Sequence, residues 1–63
     1  MKKREAEKLR QGDEVIYRKT SMFVVNVIRD SKVRDGVRIE LARRPGGKVT
    51  VVASPQLISK PSL

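Results

Sequence analysis

Six residues constrain this chain more than any others: Val37-Arg38-Ile39-Glu40-Leu41-Ala42 alternates apolar and charged side chains one for one as far as Leu41. Successive side chains of a strand point to opposite faces, so Val37, Ile39 and Leu41 line one face while Arg38 and Glu40 line the other. The stretch is predicted as a central antiparallel strand with one buried face. It also decides the register of its neighbour. Asp35-Gly36 has the composition of a two-residue hairpin turn, but that turn sets Ile39 opposite Lys32 and Leu41 opposite Asp30, pairing core positions with charges. Setting Val27 opposite Ile39, Val25 opposite Leu41 and Arg29 opposite Val37 keeps most apolar pairs together. Asp30 to Gly36 then becomes a seven-residue loop.

The rest of the chain must build a core around that strand with few means. At 63 residues it has room for one domain, and a chain of this size buries only about 60% of the surface its unfolded form exposes. It has neither cysteine nor histidine, which excludes disulfides and the usual thiolate and imidazole metal ligands. The same absence argues against an enzyme, since nucleophilic and acid–base chemistry draws most often on those side chains. Asp30 and Asp35 share a loop and are surrounded by Arg29, Lys32 and Arg34, so they read as ion-pair partners rather than cation ligands. No metal and no cofactor is expected. The longest apolar run, Met22-Phe23-Val24-Val25, is far short of the ~20 residues a membrane-spanning helix needs. Nothing resembles a secretory signal, so the expected location is cytoplasmic.

Taken in order, residues 1–10 carry five bases and two acids, but neither acid has a base four residues after it and Glu5–Lys8, three apart, is the one favourable pair, too little to support a short helix. They are expected to form a flexible basic arm whose Leu9 packs on the edge of the domain. Gln11-Gly12-Asp13 is a turn by composition, followed by a strand over Glu14 to Arg18 with Val15 and Tyr17 on one face. Lys19-Thr20-Ser21 reads as an undemanding polar connection. The second strand, Met22 to Arg29, is apolar on both faces, as in strands that bend from one sheet into another. After the central strand, Arg44-Pro45-Gly46-Gly47 fits a type II turn and sends Lys48 to Ala53 back as a fourth strand. In that strand Val49, Val51 and Ala53 are expected against Leu41, Ile39 and Val37. Pro55 cannot join a ladder, so a 3-10 turn is predicted before a short fifth strand at Ile58. Residues 61–63 are expected to fray.

Five short strands in this order, with a tight hairpin between the third and fourth and a one-turn helix before the fifth, resemble the SH3-like barrel. The opening Gly12-Asp13-Glu14-Val15-Ile16-Tyr17 looks like the start of Tudor-like and KOW-type modules within that architecture. The expected fold is therefore all-β: an SH3-like barrel over residues 11–60, preceded by the arm. Proteins that share the fold bind RNA, DNA, methylated tails, proline-rich peptides or other proteins, so the site must decide. Tyr17 and Phe23 are the only aromatics. Two rings cannot build a methyl-lysine cage or a proline-reading groove.

Charge supplies the remaining signal. Fifteen Lys and Arg against seven Asp and Glu give a net +8, which points to anionic partners, nucleic acid foremost. Arg29, Lys32, Arg34, Arg38, Arg43, Arg44 and Lys48 are the candidate nucleic-acid-binding residues. Arginine's planar fork suits phosphate, and Arg38 faces outward between the two basic loops, which suggests a stripe along the central strand. The alternative for these charges is a solvated face with Arg38 and Glu40 in cross-strand ion pairs. The alternative function is a protein-interaction or self-assembling module that pairs through a sheet edge or through outward Ile16, Ile28 and Val52.

Overall fold

The computed structural model describes residues 2–61. It is an all-β fold: five antiparallel strands in one curled sheet, ordered β4-β3-β2-β1-β5. The strands are β1 (Glu14–Tyr17), β2 (Thr20–Arg29), β3 (Val37–Ala42), β4 (Val51–Ala53) and β5 (Ile58–Ser59). A 3-10 turn, Pro55–Leu57, precedes β5, and a short helix, α1 (Lys3–Glu7), precedes β1. No helix among the described residues is long and apolar enough to cross a membrane.

The alternation in β3 works as its sequence predicts. Val37, Ile39 and Leu41 are fully buried while Arg38 is exposed. Val27 faces Ile39 and Arg29 faces Val37, and residues 30–36 form the loop between them, closed by a hydrogen bond from the Asp30 amide to the Gly36 carbonyl at 2.9 Å. Only the far half of the pairing differs. The register shifts between Val24 and Asn26, so Leu41 faces Val24 and not Val25. The extra residue, Val25, reverses the phase of β2: Met22 and Val24 point into the core before it, and Val27 after it. This bulge explains why β2 is apolar on both faces, and it bends the strand so that the sheet curls. A second bulge lies across from it. Gly12, at φ +92°, and Asp13 together oppose Val24, whose carbonyl accepts from Gly12 at 2.8 Å and whose amide donates to Asp13 at 2.8 Å. Glycine suits the first position of such a bulge because no Cβ opposes its positive φ.

The return from β3 to β4 is looser than its sequence suggests. Gly46 sits at φ +74°, and the Gly47 amide donates to the Arg44 carbonyl at 3.0 Å, as the Pro-Gly type II turn requires. The ladder, however, begins only at Thr50, whose amide donates to Leu41 at 2.9 Å, and Val51 and Ala53 face Leu41 and Ile39. The expected partners are displaced by one side-chain repeat, which keeps Val51 and Ala53 on the inner face and leaves Val49 in the loop, 39% exposed.

The N-terminal stretch is more ordered than the flexible basic arm that residues 1–10 suggest. Lys3–Glu7 turns as a helix with Ala6 fully buried in the core and Leu9 packed against it. Five residues cannot hold a helix by propensity alone, so that docking stabilises it, helped by an ion pair between Glu5 and Lys60 at 3.2 Å. The helix packs on β3, with Lys3 reaching over Gly36, and so covers the Val37 end of the core. Ala6→Asp is expected to lower stability by about 1–2 kcal/mol, a ceiling set by the little apolar area that undocking exposes. A denaturant titration unchanged by the substitution would mean that the helix adds nothing to the fold. The fraying expected of the C-terminus falls mainly on Ser62 and Leu63, outside the described residues.

Candidate functional site

Strand β3 holds its basic neighbours at two opposite ends. Arg29, Lys32 and Arg34 lie at the Val37 end with Arg38 just inside it, and Arg43, Arg44 and Lys48 lie beyond Ala42; all seven are exposed. The two groups differ in how far their charge is neutralised. Arg38 Nε pairs with Asp30 Oδ2 at 3.2 Å, and Asp30 also accepts from the Lys32 amide at 2.9 Å. Asp35, in the same loop, accepts from the Gln56 side chain at 3.4 Å. Thus the residue expected to join the two loops into a stripe is instead turned onto a carboxylate in one of them. Among the described residues Glu40 takes no part in an ion pair within 4.0 Å.

At the opposite end none of the cations is in an ion pair within 4.0 Å among the described residues. Tyr17 pairs with Thr20, leaving Arg18-Lys19 as a two-residue hairpin loop with φ of +49° and +64°. Positive φ at both central positions is the mark of a type I′ turn, normally built from Asn and Gly. Residues bearing a Cβ cost roughly 1–2 kcal/mol each in that region. Nothing in an Arg-Lys pair announces such a turn, and the sequence reads there as an ordinary connection. The hairpin projects Arg18 and Lys19 past the same end of the sheet as Arg43, because Phe23, three residues after Thr20, pairs with Ala42. Neither segment 18–20 nor segment 43–50 contains an acidic residue. Five cations therefore lie toward one end of the sheet with no acid in either segment, while Glu14, in the row of Phe23 and Ala42, accepts from the Ser21 hydroxyl.

Between these two segments the core face of the sheet runs out into an open groove of about 230 Å³. Buried Met22 and half-buried Tyr17 and Val51 form its base, and exposed Arg18, Thr20, Arg43 and Thr50 form its rim. The Arg18 guanidinium lies 5.4 Å from the centroid of the Tyr17 ring, a cation–π contact that orders both side chains. The groove is smaller than the ~300 Å³ at which sites for drug-sized ligands begin. It has room for a single planar ring, with Arg18 and Arg43 on the rim where an attached phosphate would lie.

The apolar positions of the outer face are more scattered. Val52 is 49% exposed but faces Glu40, Ile28 faces Arg38, and Ile16 faces Ser21 on one side and Ser59 on the other. Polar or charged neighbours interrupt what the sequence suggests as one patch.

No family model matches this chain, nor does any curated protein or solved structure. Arg38→Glu removes an exposed ion pair worth no more than about 1 kcal/mol and acts at the end remote from the groove. The variant is expected to melt within a few degrees of the parent and to bind nucleic acid within about threefold of it, as its phosphate contact is already forgone. A tenfold or greater loss in a titration of the folded variant would restore Arg38 to the binding surface.

Proposed function

We propose that the chain is a small nucleic-acid-binding module on an SH3-like barrel, gripping phosphates through Arg18, Lys19, Arg43, Arg44 and Lys48 with little preference for base sequence. Five antiparallel strands with a 3-10 turn before the last support the barrel assignment. The observation that carries the function is the basic cluster: hairpin tip and turn bring five cations to one end, and neither segment holds an acid. Phosphate contacts of this kind fix a protein on a nucleic-acid backbone without reading its sequence. Arg29, Lys32 and Arg34, at the far end, add to the long-range field that speeds encounter. Their loop holds Asp30 and Asp35, which weakens that end as a phosphate surface.

Nothing in the cluster resembles a reaction centre, and the module acts by binding alone. The test is a fluorescence-anisotropy titration of labelled mixed-sequence DNA and RNA at ~50 mM salt, where contacts of this kind are strongest. Saturable binding that varies little among sequences is the expected result. No binding of either nucleic acid at that salt would overturn the proposal.

A further inference from the structure

The groove beside the cluster says which form of nucleic acid the module takes. We infer that it seats one nucleotide of a single strand, with the base stacked on the Tyr17–Arg18 pair and the adjoining phosphate held between Arg18 and Arg43. This inference rests on the nucleic-acid reading above and narrows it.

Three independent features point the same way. The first is composition: the base of the groove is apolar and aromatic and its rim cationic, with Thr20 and Thr50 hydroxyls between. A phosphate alone needs no apolar floor, and an apolar ligand needs no arginines. A nucleotide has a flat ring and a charge side by side. The second is the stacked pair. Arg18 lies over the Tyr17 ring at 5.4 Å, so an aromatic ring and a guanidinium, the two groups on which unpaired bases stack, lie side by side at the groove. The bases of a duplex face one another inside the helix and cannot reach such a groove, whereas those of a single strand can. The third is the turn. Arg18 and Lys19 both occupy the left-handed region, where Asn-Gly would sit at lower cost. The strained turn holds Arg18 on the rim of the groove with Lys19 next to it in the chain, charges that a turn of Asn and Gly would lose.

The chain's single tyrosine and lack of tryptophan make Tyr17 its own reporter. The experiment compares oligothymidylate of about eight nucleotides, within the usual span of single-strand sites, with an abasic oligomer of equal length and charge. Tyr17 emission is expected to fall on titration with oligothymidylate and to stay level with the abasic strand. The abasic strand is also expected to bind roughly tenfold more weakly, the loss that goes with one stacked base. By anisotropy, Arg43→Gln should bind roughly tenfold more weakly than the parent at ~50 mM salt.

The most telling variant is Arg18→Asn with Lys19→Gly. It relieves the turn, so its melting temperature is expected to rise by several degrees, while its affinity falls roughly tenfold or more. A better-folded protein that binds worse cannot be explained by loss of structure. Equal affinity for the two strands with unchanged Tyr17 emission would overturn the groove while leaving the phosphate-binding module standing. Failure of both strands to bind would overturn both.

Discussion

Replacing Ile39 with alanine is expected to leave most of the chain unfolded at room temperature. Ile39 is fully buried at the middle of β3, with Val27 on one side and Ala53 on the other. Removing so large a buried side chain costs about 2–5 kcal/mol, because the lost contacts leave a cavity the surroundings only partly close. A single core in a chain of this size rarely supplies more than ~3–5 kcal/mol, and no disulfide adds to it, since the chain has no cysteine. The substitution therefore removes most of the margin. Far-UV circular dichroism through a thermal melt is the check. Val52→Ala, one strand away and half exposed, should shift stability by less than about 0.5 kcal/mol. If the two variants melted alike, the division into buried and outer faces would be wrong.

The second large effect is on binding. With five phosphate contacts, affinity is expected to fall roughly 100- to 500-fold between ~50 and ~200 mM salt, because each contact releases a counterion whose gain shrinks as salt rises. Reversing Arg43 and Arg44 together to glutamate should lower the slope of log affinity against log salt by about 1.5, the share of two contacts. Reversing Arg29 and Arg34 should leave that slope nearly unchanged. Equal effects from the two pairs would return the charge to a stripe along β3.

The contrast between those ends shows what the sequence made legible. The strict alternation of β3 carries the fold: it fixes the inward face and excludes the Asp-Gly hairpin. With Val27 opposite Ile39, it leaves the loop from Asp30 to Gly36 where the structure has it. Pro55 and Pro45-Gly46 mark their turns because ring closure and a missing Cβ leave the backbone few alternatives. The bulge at Val25 was present only as a symptom, apolar residues on both faces of β2. Its position depends on tertiary closure and not on any local preference. The docking of α1 was hidden for the same reason, since one buried alanine leaves no periodic signature.

The site was less legible than the fold. Charge and loop position single out Arg43, Arg44 and Lys48, but the hairpin residues Arg18 and Lys19 lie more than twenty positions earlier and join them only through strand pairing. Their turn carries neither the glycine nor the asparagine that betrays a type I′ loop. Arg38 illustrates the converse: an outward position is readable from alternation, whereas its commitment to Asp30 depends on how the loop folds back.

Nucleic acid is expected to meet the end of the sheet where the Arg18-Lys19 hairpin and the Arg43–Lys48 turn converge. The most direct test is a proton–nitrogen correlation spectrum of the uniformly labelled chain recorded during titration with a short single strand. Amide shifts concentrated in residues 17–22 and 42–51, with those of 29–38 largely still, are the predicted result. Shifts centred on residues 29–38, or spread evenly along β3, would contradict it.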